Sequence, residues 1–104
     1  MDIIDIELLK KMSVNIGEAA NITGIPIRKL RYWESKNIIK SVDEGVNKTR
    51  KFDYYEIKKI ILIKELLDEG YTLEKATEKV EVRMKNLAEA FEKLEKARIE
   101  NEEK

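Results

Sequence analysis

The sequence predicts an all-α fold carrying one small β-hairpin and a terminal coiled-coil helix, and three observations predict it. Two short helical periodicities are joined by a tight turn containing Gly24 and Pro26. A polar stretch with Gly45 in it separates two short segments, Ile38-Ile39 and Arg50-Lys51-Phe52, that have strand character. Beyond Val80 no glycine or proline interrupts a stripe of apolar residues at spacings of four and three. Composition agrees, because 104 residues suit one compact domain plus a tail. With 40% charged and 42% hydrophobic residues, the chain is too apolar for disorder and suits helices with long solvated faces.

Residues 2–12 place Ile4, Leu8 and Met12 on one helical face, a short amphipathic segment that must pack on something to be stable. Asn15 and Glu18 have the spacing of a capping box, so a helix is expected from Ile16, with Ala19, Ala20 and Thr23 on its inner face. Gly24 can take the left-handed conformation that stops this helix, and Pro26 suits the opening of the next. That second helix runs towards Lys36, with Ile27, Leu30 and Trp33 recurring at helical spacing and Arg28, Lys29, Arg31 and Tyr32 facing elsewhere. Trp33 is read as core because its spacing from Leu30 turns it inward.

Ile38-Ile39 and Arg50-Lys51-Phe52 are expected to pair as a hairpin across the polar stretch Ser41 to Thr49. Asp53 and Glu56 repeat the capping-box spacing, opening a third helix whose inward positions are Ile57, Ile60, Ile61, the Lys64 stem and Leu67. Gly70 stops it, and Thr72 can cap a fourth helix with Leu73, Ala76, Thr77 and Val80 inside. From Val80 the stripe continues through Met84, Leu87, Phe91, Leu94 and Arg98 with Glu and Lys on its flanks, a short coiled-coil seam. The chain thus divides into an N-terminal amphipathic segment (1–13), a winged helix-turn-helix (14–80) and a C-terminal helix for dimerisation through Met84, Leu87, Phe91 and Leu94 (81–104).

Several function classes fall away. Cysteine and histidine are both absent, which removes disulfides, thiolate chemistry, the usual zinc ligands and the commonest general base. No paired, desolvated arrangement of carboxylates is evident, so neither an enzyme nor a cofactor or metal site is expected. There is no run of about 18 apolar residues and no secretory leader is expected, so the expected location is cytoplasmic, at the nucleoid. Net charge is zero, yet residues 28–51 hold eight cations against three anions, a local excess of five.

These blocks resemble the MerR family of bacterial regulators. The resemblance is carried by Ile16-Gly17-Glu18-Ala19-Ala20, Thr23-Gly24-Ile25, Leu30-Arg31-Tyr32-Trp33-Glu34, Arg50-Lys51-Phe52 and Leu67-Asp68-Glu69-Gly70-Tyr71-Thr72-Leu73-Glu74, in order and register over roughly residues 14–80. Three departures stand out: Pro26 in place of the usual Ser or Thr cap, Trp33 in place of a second Tyr, and a terminal helix expected to be shorter, with no effector domain expected after it. The resemblance implies transcription regulation by a homodimer at an inverted repeat, with bending and undertwisting of promoter DNA.

The physics of recognition assigns the residues. Arg28, near the start of the second helix, can pair with guanine O6 and N7 in the major groove. Lys29, Arg31 and Tyr32 are expected on phosphates, and the resemblance points the same way for Arg31 and Tyr32. Lys48, Arg50 and Lys51 on the hairpin would reach flanking phosphates or the minor groove. Expected partners are double-stranded DNA, a second copy of the chain and RNA polymerase, with no membrane and no small-molecule effector. Two other readings remain open at this point: an architectural or recombination-directionality factor, and a helical protein-interaction module whose charges only solvate it.

Overall fold

The structure, a computed structural model, describes residues 12–44 and 49–102. In chain order the elements are β1 (Ser13–Val14), α1 (Ile16–Thr23), α2 (Ile27–Ser35), β2 (Val42–Glu44), β3 (Thr49–Asp53), α3 (Tyr54–Asp68) and α4 (Leu73–Glu102). The amphipathic segment expected over residues 2–12 lies outside the described residues but for Met12, which is exposed.

Local chemistry accounts for the helix ends. The Asn15 side chain accepts from Glu18 N–H at 2.8 Å and donates back to the Glu18 carboxylate at 2.8 Å, so the first turn of α1 is held from both sides. Gly24 closes α1 with φ 76° while its N–H donates to the Ala20 carbonyl at 2.8 Å. A Cβ there would sit 2.9 Å from Lys64 Nζ, which donates to the Thr23 carbonyl at 3.1 Å. The turn into α2 is therefore tied to α3 at the point where glycine is needed.

The helix α2 begins after Pro26 and ends in a Schellman motif. Asn37, at φ 61°, donates to Glu34 O, and Ile38 N–H donates to Trp33 O. This corrects the expectation of a strand at Ile38-Ile39: Ile38 completes the helix end, Ile39 is buried in the core, and the strand starts only at Val42. The hairpin itself forms, with Val42 opposite Lys51, Asp43 opposite Arg50 and Glu44 opposite Thr49. A strand that the sequence pattern does not announce joins it, because Ser13 and Val14 pair antiparallel with Asp53 and Phe52. The sheet is three-stranded in the order β1-β3-β2, so β3 is central.

Asp53 caps α3 by accepting from Glu56 N–H at 3.0 Å. The deepest α3 positions are Ile60, Ile63 and Leu66; Ile60 matches the expectation, whereas Ile57, Ile61 and Leu67 are only half-buried. The reason is that α3 packs on both α1 and α4, so its buried arc is wider than one stripe and is rotated towards α4. Gly70, at φ 103°, stops α3, and Thr72 caps α4 by accepting from Lys75 N–H at 3.1 Å.

The helix α4 then runs for 30 residues without a break at Glu81, about 45 Å at 1.5 Å per residue. Its inner face buries Ala76 and Val80 and lays Met84 against the same core. Further along, the Phe91 ring meets Tyr54 at 6.5 Å and Tyr55 at 5.8 Å, both edge-on, at the start of α3.

All these elements converge on one core in which Leu30, Trp33, Ile39, Phe52, Ile60, Ile63 and Val80 are fully buried. Phe52 sits on the central strand, where the sheet meets the helices. Truncating it to alanine is expected to cost about 3–5 kcal/mol of unfolding free energy. Val42→Ala on the exposed edge strand should stay within about 0.5 kcal/mol, and chemical denaturation of both variants checks the contrast.

Candidate nucleic-acid interface

The inward pair Leu30 and Trp33 sets the rotation of α2, and helical geometry does the rest. At 3.6 residues per turn, Arg31, Ser35, Arg28, Tyr32, Lys36 and Lys29 follow one another around an arc of about 160°. All six are exposed. The structure therefore brings Arg28, Lys29, Arg31 and Tyr32 onto one solvent-facing surface opposite the core. The described residues offer no ion-pair partner to Arg28, Lys29 or Arg31.

Lys36 contributes to the local charge excess without standing out in the sequence as a site residue, yet it belongs to this surface. Its Nζ lies 5.7 Å from the centroid of the Tyr32 ring, a cation–π contact. The spacing of four residues from Tyr32 is the signal that points to it. Tyr32 keeps 51% of its surface exposed, so its ring is available beside the cations instead of being core. Ser35, between Arg31 and Arg28 on the arc, turns its hydroxyl back onto the Tyr32 carbonyl at 2.6 Å.

The C-terminal half of α2 and the segment leading to β2 enclose an open cleft. Arg31 and Ser35 line one side, Lys40 and Ser41 the other, and Ile39 and Phe52 contribute apolar wall. Arg31 thus belongs both to the outward arc and to the junction with the hairpin. Of the hairpin cations, Lys51 is half-buried in β3, Arg50 has its backbone in β3 opposite Asp43, and Lys48 lies outside the described residues.

The path from α2 to β2 is fixed by two carboxylates. Lys40 N–H donates to Glu56 Oε1 at 2.9 Å, and the Ser41 hydroxyl donates to Glu34 Oε2. Burial pushes the Glu56 carboxyl above its ordinary pKa, with the Lys40 backbone N–H and the Lys59 cation offsetting part of that rise and Asp53 adding to it. Among the described residues no cluster of acidic side chains could hold a metal ion, and no helix is long and apolar enough to cross a membrane.

Comparison with known proteins gives two findings. The sequence profile of the MerR HTH family of regulatory proteins matches residues 14–81. Among solved structures, the chain is similar to HiNmlR, a MerR family regulator lacking the sensor domain, crystallised bound to promoter DNA. That likeness has a TM-score of 0.58 at 20% identity and covers 86% of this chain and 75% of the other. No curated protein matches the sequence.

The raised pKa of Glu56 makes burial of its carboxylate a pH-dependent cost to stability. Its folded-state value lies above the unfolded one, so the cost of burying the charge is full above the folded pKa. The cost fades as pH falls through that value and is gone below the ordinary carboxylate value of 4.5. Glu56→Gln, which keeps an oxygen for Lys40 N–H, should be more stable than wild type at pH 7, with the gap closing in acid. Thermal melts across pH check this. A wild type that is the more stable at pH 7 would mean that attraction to Lys59 outweighs burial.

Proposed function

The chain belongs to the MerR HTH family of regulatory proteins, and on that premise we propose that it binds duplex DNA sequence-specifically as a homodimer at an inverted repeat. Family membership makes it a DNA-binding transcription regulator, not an enzyme. The observation that carries the finer reading is the outward arc of α2, where Arg28, Lys29, Arg31 and Tyr32 are all exposed on one side of a helix whose other side is core. A helix of that shape and charge fits the major groove.

Within the groove, Arg28 sits near the helix start, where a guanidinium fork can meet guanine O6 and N7. Lys29, Arg31 and Tyr32, spread to either side of it, take phosphates, because long side chains at a groove edge meet backbone first. The hairpin acts as the wing, with Lys48, Arg50 and Lys51 on flanking backbone. HiNmlR, which lacks a sensor domain and was crystallised on promoter DNA, supports the same mode of action for this chain. A regulator seated on promoter DNA at the nucleoid would act on RNA polymerase.

Dimerisation is assigned to the C-terminal helix, with residues 14–80 as the DNA-binding unit and 81–104 as the dimer helix. The four seam residues differ in how much of their surface their own chain already uses. Met84 packs on the core of its own chain and Phe91 on Tyr54 and Tyr55, whereas Leu94 is 59% exposed and Leu87 is half-buried. Leu87 and Leu94, one heptad apart, are therefore the positions most available to a twin helix.

Selection of bound duplexes from a random pool is expected to return an inverted repeat. On that site Arg28→Ala should relax preference at one base position by about 1–3 kcal/mol. Arg50→Ala should weaken all sequences nearly alike, and a change in the preferred base for Arg50→Ala would sink this division of labour. Leu94→Asp should give monomers in sedimentation while leaving the chain folded; a dimer that survives it would move the interface elsewhere.

A further inference from the structure

The segment between α2 and β2 has neither helix nor strand to fix its path. Yet two consecutive residues in it are held by carboxylates from α2 and α3. Glu34, on α2, accepts from the Ser41 hydroxyl; Glu56, in the first turn of α3, accepts from Lys40 N–H at 2.9 Å. The backbone N–H of Glu56 is in turn held by the Asp53 cap. One residue after Ser41 the chain enters β2, which pairs with β3 to make the wing. Immediately before Lys40, Ile39 is buried in the core. The wing therefore leaves α2 through a joint held at three successive positions.

As charges, these two carboxylates work against DNA. Glu34 lines the cleft shared by Arg31 and Lys40, and Glu56 accepts from the Lys40 backbone; negative charge there lowers the attraction for phosphate. Burying Glu56 has a further cost, which its raised pKa records. A geometric role accounts for acids at this place, since the Glu34 bond ties the segment before β2 to α2 and the Glu56 bond ties it to α3.

Building on the DNA-binding reading above, we propose that Glu34 and Glu56 are positioning residues for DNA recognition: together they clamp Lys40 and Ser41 and so set the angle of the wing against α2. The joint, and not the wing sequence alone, then decides whether helix and wing cations meet the same duplex.

The test is duplex binding as a function of salt, on the site recovered by selection, with the full chain. Ser41→Ala removes one hold without changing any charge, Glu56→Ala removes the other, and Glu56→Gln keeps an acceptor for Lys40. Circular dichroism confirms that each is folded, and Ser41→Ala, outside every helix and strand, carries the test if Glu56→Ala is not. The two alanine variants should bind more weakly, with the slope of log affinity against log salt shallower by about 0.9 for each phosphate that the protein no longer neutralises. Glu56→Gln should keep the wild-type slope. Mere destabilisation lowers the binding-competent fraction and leaves that slope unchanged. A wild-type slope in either folded alanine variant overturns the clamp, as does tighter binding of Glu56→Ala from simple loss of a negative charge. If wild type itself shows no salt-dependent duplex binding, the DNA-binding reading fails first and takes the clamp with it.

Discussion

Leu30 and Trp33, three residues apart on α2 and both removed from solvent, fix the rotation of that helix about its axis. Burying side chains of this size stabilises by about 1.5–3 kcal/mol each for the aliphatic case. Rolling the helix over would bury arginines and lysines instead, at several kcal/mol per unpaired charge. The alternative rotations are thus closed, and the outward arc of cations follows from the inward pair. The turn before α2 adds its own restraint, since Gly24 and the Lys64 hydrogen bond to Thr23 O leave the two helices little freedom to re-angle.

The wing is built from the same core outward. Phe52 lies on the central strand and is fully buried, so the sheet cannot slide without dragging a core residue. Its neighbour Lys51 pairs across to the exposed edge at Val42. Pairing of Ser13 and Val14 on the other side satisfies the second edge of β3 close to the helices. The result is a hairpin whose base is held by packing, a ladder on each side of β3, and the hydrogen bonds of Glu34 and Glu56.

The long helix divides its apolar surface between two uses. Up to Phe91 it lies along its own chain, sealing the core with Val80 and meeting the tyrosines of α3. Beyond that point Leu94 and Ile99 are 59% and 44% exposed. A stripe that looks uniform as a heptad pattern is thus partly internal packing and partly a surface open to another helix.

Much of this was legible in the sequence, for a local reason. The caps at Asn15, Asp53 and Thr72 act between residues three apart, and Gly24 and Gly70 stop helices through their own backbone freedom. The cationic arc required only the helical period and the positions of Leu30 and Trp33. Tertiary structure alone decided the features whose partners are distant along the chain. Two-residue β1 has no periodicity to announce it and exists because it meets Phe52 and Asp53. Ile38 and Ile39, with good strand propensity, were claimed by a helix end and the core. Which α3 residues lie deepest depended on having neighbours on two sides, and the carboxylate hold on Lys40 spans 16 residues. Periodicity and capping are properties of one segment, whereas register, depth and the joint between helix and wing arise only when segments meet.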